Sequence, residues 1–191
     1  MKHNSFTLVI LTAAAVLIGG CAKKPDAPRS GANAEQPKPK AQTRDESKPV
    51  DAAATVAPTL SVYEDIRAKL AADDIAGAAE QADTLAKAAT TAAADAPEAL
   101  RGHLADTAKA AEALAGTPTD DADAVRKAFG EVSRPVVALI AADPSLQESA
   151  HVFECPMAQG YQKWVQHGET IENPYMGRKM LACGSKTTWD G

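Results

Sequence analysis

Within Phe153 to Gly184, which reads FECPMAQGYQKWVQHGETIENPYMGRKMLACG, lie two of the chain's three cysteines and three of its four methionines. One of its two tryptophans and two of its three tyrosines are there as well. Soft sulfur donors set among aromatic and turn-forming residues are the makings of a small built site. Met176, Met180 and Cys183, spaced four and three, share one face if Tyr175 to Cys183 is a short helix, and Cys155 and Met157 share one side of an extended segment. That helix against that segment brings together two thiols and up to three thioethers. Such a donor set favours monovalent copper, and by the same softness silver, over magnesium, calcium or manganese. His151 and His167 are further candidate ligands in the same tail. The two cysteines can instead close a disulfide. The loop of 29 residues would then contribute about 3.6 kcal/mol on a chain-entropy estimate, with Met157, Met176 and Met180 filling core space against Trp164 and Tyr175. Residue types alone leave metal site and disulfide staple both open.

Catalytic patterns are missing. The sequence has no Cys-x-x-Cys pair, no Cys-x-x-Cys-His haem attachment and no Gly-rich phosphate loop. A Cys155 nucleophile with His151 or His167 as base lacks a third, orienting residue. His103 is the only histidine of the helical segments, without a Glu-x-x-His pair for a di-metal bundle site. No catalytic residue is assigned and the chain does not read as an enzyme.

The elements that must hold the tail are helical. Tyr63, Ile66 and Leu70 fall at steps of three and four. So do Ile75, Ala79, Ala82 and Ala86; Leu100, Leu104, Thr107, Ala111 and Leu114; and Val125, Phe129, Val132, Val136 and Leu139. Four amphipathic segments result, with Asp73 or Asp74, then Asp95 with Glu98, then Thr119 with Asp120 and Asp121 as start signals. Short connections make neighbours antiparallel. The expected fold is all-α: an antiparallel four-helix bundle over 58–150, with a small irregular Cys/Met-rich cap, a short strand or loop plus a short helix, over 151–191. Alanine gives these helices high propensity and little apolar area per residue.

Residues 1–20 read as a signal peptide: Lys2 and His3, an apolar run from Phe6 to Ile18 too short to span a bilayer, then Gly19 and Gly20 before Cys21. Ile18-Gly19-Gly20-Cys21 resembles the bacterial lipobox. That resemblance implies cleavage before Cys21 and its lipidation, and Ala22, in place of an Asp, implies the outer membrane. Residues 21–57, rich in Pro, Lys and Ala, read as a disordered tether. Ala22 to Val50 carries seven basic against four acidic residues, a net charge of +3, whereas Asp51 to Ala150 carries 8 against 17, a net of −9. An acidic folded region without a basic patch excludes nucleic acid as a partner.

Cys155-Pro156-Met157, Trp164, Ile171, Asn173-Pro174-Tyr175, Gly177, Met180-Leu181 and Cys183-Gly184 carry a family resemblance. The tail resembles a bacterial envelope domain of unknown function that is also found fused at the C-terminus of CusB-like adaptors of heavy-metal efflux pumps. Its signature is C-P-M, then N-P-Y-x-G, then M-L-x-C-G. The resemblance implies a helical bundle before the signature, a place in the cell envelope facing the periplasm, and an association with copper or silver and with metal-efflux components. Met176 departs from the pattern, where an aromatic residue is more usual, and adds one soft donor.

Overall fold

A computed structural model describes residues 51–189. The first element, α1 (Ala52–Ala71), starts where Asp51 accepts the Ala54 amide at 3.1 Å. The expectation of a tether as far as residue 57 is therefore corrected. Alanine-rich composition that suits a flexible linker equally suits a helix, and Val56, wholly buried, gives this first turn a core contact. The expected signal peptide, the expected lipidation site Cys21 and the rest of the expected tether lie outside the described residues.

Three further helices follow: α2 (Ile75–Asp95), α3 (Glu98–Ala115) and α4 (Ala122–Ala142). Asp74 caps α2 through the Gly77 amide and Asp121 caps α4 through the Ala124 amide. The expected cap at Asp95 does not form. Helix α2 continues to Asp95, and Pro97 makes the break by holding Ala96 extended at ψ 155°. Links of three and two residues turn α1 into α2 and α2 into α3, so successive helices run in opposite directions. Helix α2 meets its neighbours through Ala78, Ala82, Leu85 and Ala89, all wholly buried. Helices α1 and α4 meet through larger groups: the Tyr63 and Phe129 rings stack with centroids 5.3 Å apart, and the Tyr63 and Ser133 hydroxyls are 2.8 Å apart.

The cap is more regular than expected. Strands β1 (His151–Glu154), β2 (Lys163–Gln166) and β3 (Ser185–Lys186) form an antiparallel sheet in the order β2-β1-β3. Two features hide these strands in the sequence. They have only two to four residues, and Val152 with Phe153 in β1 and Trp164 with Val165 in β2 are buried in succession, which erases the alternation of a half-exposed strand. The short helix expected over 175–183 shrinks to a 3-10 turn at Gly177–Met180.

Two buried arginines tie the cap to the bundle. Arg67 of α1 holds Glu64 and both the carboxylate and the carbonyl of Glu172. Arg126 of α4 donates to the carbonyls of Leu70 and Pro174 and to the Asp73 carboxylate. Asp73 in turn accepts the Arg178 amide at 3.2 Å. Burying a guanidinium is costly unless its donors are filled, so these contacts fix where the cap sits.

Candidate functional site

Cys155 continues β1 by one residue and remains bonded to the β2 side, its amide donating to the Gln162 carbonyl at 3.0 Å. On the other side the β1–β3 register, Phe153 with Lys186 and Glu154 with Ser185, brings Gly184 opposite Cys155. Gly184 has a φ of +137°, and a Cβ there would lie 2.7 Å from the Glu154 carbonyl oxygen and 2.9 Å from Trp164 Cη2. Only a glycine lets the two backbones approach this closely. Cys183, one residue earlier, is thereby delivered to Cys155: the two Sγ atoms are 3.5 Å apart across 28 positions of sequence, and both are free thiols.

Asn173 makes the other half of the clamp. Wholly buried, it accepts the amides of Tyr175 and Met176 through Oδ1, at 2.8 and 3.1 Å, and donates through Nδ2 to the Cys183 carbonyl at 2.5 Å. Its own amide donates to the Leu181 carbonyl. A single side chain thus closes the loop that carries Cys183. Tyr175 anchors the loop to the sheet by donating from its hydroxyl to the Lys163 carbonyl at 2.6 Å. Its ring contacts Phe129 and Trp164, and burial pushes its pKa well above the ordinary phenol value. Gly177, at φ +56°, leaves no room for a Cβ beside Asp73. Trp164 is wholly buried, stacks on Phe153 and donates from its indole to Gln166 at 3.0 Å.

Met157 completes the sulfur group. Its Sδ lies 4.0 Å from Cys183 Sγ, and the residue is 54% exposed. Cys155 is wholly buried and Cys183 half-buried. The hydrogen bond with Cys155, joined by burial, pushes the Cys183 thiol up. Metal–thiolate bonds of about 2.3 Å in a trigonal shell set sulfurs about 4 Å apart, close to the separations found here. Among the described residues no three His, Cys, Asp or Glu side chains converge, and the sulfur nearest the thiol pair is the Met157 thioether.

The remaining sequence candidates divide. Met176 is half-buried and shares with Met157 the wall of a cavity of about 290 Å3. Met180 is half-buried, and its carbonyl accepts the Cys183 amide. The histidines are not brought in. His151 pairs with Gln166 at the far end of the hairpin, four residues along the strand from Cys155 and so about 13 Å away. Its Nε2 is 3.9 Å from Glu169, and its ring meets Phe153 edge-on. His167 Nδ1 is 2.9 Å from the Ser149 carbonyl oxygen, at the same end. The cavity also holds Lys127, Arg126 and Asp123 from α4 and Lys179 from the cap. Sequence reading missed these helix residues, and the signal was Arg126 standing between Val125 and Phe129 on an otherwise apolar stripe.

No protein-family model, characterised protein or solved structure matches this chain. Among the described residues no helix is long and apolar enough to cross a membrane.

Proposed function

We infer that this is a cell-envelope lipoprotein, lipid-anchored through Cys21 and facing the periplasm from the outer membrane. Its cap binds a monovalent soft metal ion, copper or silver, as part of metal efflux or homeostasis. Cys155, Cys183 and Met157 are the ligands, with Met176 and Met180 as further candidate donors. One observation carries this reading: two thiols 3.5 Å apart with an exposed thioether 4.0 Å from one of them. Thiolate and thioether are the ligands soft cations select, and an exposed methionine gains little from its position unless its sulfur is used. The anchor and compartment rest on the signal-peptide pattern, and the link to efflux rests on the family resemblance. No catalysis is assigned.

The test is titration of the reduced, tag-free domain with monovalent copper against a competing chelator. One ion per chain is expected, with loss of binding in Cys155→Ser and Cys183→Ser and a smaller loss in Met157→Leu, because thiolate is the stronger donor. Failure of the reduced domain to bind, or undiminished affinity in the double cysteine variant, overturns the reading. The separation of the two Sγ atoms also favours a second reading, in which the pair closes as a disulfide and the cap is a structural or protein-interaction element. Quantitative bridging under mild oxidation, together with absent metal binding when reduced, selects it.

A further inference from the structure

Within the sulfur group Cys155 is wholly buried, Cys183 half-buried and Met157 exposed, and Met157 adjoins Cys183, which adjoins Cys155. Met157 is also a wall of the cavity of about 290 Å3, with Met176 opposite the same space. The other walls are charged. Arg126 is held by Asp73 at 2.6 Å and by two backbone carbonyls, so its charge is largely spoken for. Lys127 and Lys179 are exposed cations, and Asp123 is the carboxylate that lines the cavity among the described residues. A cavity of this size takes one end of a small molecule. Two thioethers and two ammonium groups together suit neither a bare cation, which the lysines repel, nor an apolar ligand.

Resting on the metal reading, we propose that this cavity is the entry vestibule of the sulfur site and that its substrate is an anionic low-molecular-weight thiolate complex of the monovalent metal. Lys127 and Lys179 hold the carboxylates of the carrier while Met157 and Met176 face the metal. The transfer is a ligand exchange without redox change. The two metal–sulfur bonds of the carrier complex break and bonds to Cys183 and then Cys155 form. Each cysteine proton passes to a departing carrier thiolate, so one anionic bis-thiolate complex becomes another and two neutral thiols leave. Met157, adjoining both the cavity and Cys183, is the intermediate donor.

The experiment is stopped-flow transfer of silver into the reduced Trp189→Phe protein. It is followed by emission of Trp164, whose ring reaches Gly184 next to Cys183. Two carriers are compared: silver–glutathione, which is anionic, and silver–cysteamine, whose amine is cationic. Replacing both lysines, Lys127→Glu with Lys179→Glu, is expected to slow transfer from glutathione about tenfold relative to transfer from cysteamine, a steering effect that fades as salt is raised. Equal rate changes for both carriers, or a preference insensitive to salt, overturn the vestibule while leaving the metal site standing. Transfer from neither carrier, with no binding of silver ion at equilibrium, overturns the metal reading itself.

Discussion

Replacing Gly184 by alanine tests the geometry that brings the thiols together. At a φ of +137° an L side chain is strained in any surroundings, a conformational penalty of about 1–3 kcal/mol. The new Cβ would also lie 2.7 Å from a backbone oxygen, Glu154 O, and 2.9 Å from the buried Trp164 ring. Neither neighbour is the free end of a flexible chain. Strand β3, paired at only two positions, is the part able to yield. Relief by peeling β3 away forfeits its ladder and moves Cys183, so the expected destabilisation is about 3 kcal/mol, strain and lost hydrogen bonds together. Gly102 is the control: in mid-helix α3 an added Cβ meets nothing within 4 Å. Alanine there should stabilise by about 0.5–1 kcal/mol through helix propensity. Urea unfolding of the reduced proteins measures both changes. Bridging of Cys155 to Cys183 by oxidised glutathione, scored by free-thiol titration, should be markedly slower in Gly184→Ala. The reasoning fails if Gly184→Ala unfolds within about 0.5 kcal/mol of wild type and bridges at the same rate, because β3 would then not be what positions Cys183.

Closing the 155–183 loop by oxidation should raise stability by about 3.6 kcal/mol, or roughly 12 °C in Tm for a domain of this size; differential scanning calorimetry of the oxidised and reduced proteins should show the shift, and Cys155→Ser with Cys183→Ser should abolish it. Burial raises the pKa of Tyr63 and Tyr175 above the phenol value; their contribution is intact below about pH 10, where the unfolded phenols ionise, and is lost as pH rises beyond it. Tyr63→Phe should therefore make the alkaline fall in stability shallower by up to about 1.4 kcal/mol per pH unit, read from urea midpoints between pH 9 and 11. Removing Arg126 as Arg126→Met orphans the Pro174 carbonyl and takes the guanidinium from the Asp73 carboxylate; a loss of about 1–3 kcal/mol is expected, and limited proteolysis should cut the cap before the helices.

The helices were legible because their signal is repeated. Each runs five turns or so with an apolar residue at every third or fourth position, and capping aspartates stand at Asp74 and Asp121. Their edges were less so. Pro97 rather than Asp95 sets a boundary, and the alanines before Pro58 belong to α1. The sheet was hidden because β1 and β2 bury successive residues over only four positions and β3 has only two, so no period is left to detect. In the site, proximity of Cys155 to Cys183 followed from their chemistry, but the ligand face did not follow from helical spacing. A 3-10 turn repeats every three residues, so Met176, Met180 and Cys183 need not stack as they would on an α-helix. Nor could the histidines be excluded by sequence, since only the β1–β2 register sends them to the far end of the hairpin.

Several of the signature residues have structural work that accounts for them. Asn173 makes three side-chain hydrogen bonds within the turn, and Pro174 offers its carbonyl to Arg126. Tyr175 and Trp164 build the aromatic layer between cap and bundle, and Gly177 and Gly184 allow two close approaches. Any chain with this cap would need equivalents of these residues, whatever its function. Among the remaining signature residues, three have adjoining sulfurs, Cys155, Cys183 and Met157. A wholly buried Cys155 would serve as a small apolar residue, but so would alanine or valine, and Cys183 is not buried enough to gain from its sulfur. Met157 fits the role of core filler least, because more than half of it is exposed, at 54%. The clamp of Asn173 and Gly184 holds the Cys183 backbone where its sulfur meets both others. A disulfide accounts for the two cysteines. It does not involve Met157, and the contact of that exposed thioether with the Cys183 thiol at 4.0 Å is what supports the soft-metal reading proposed above.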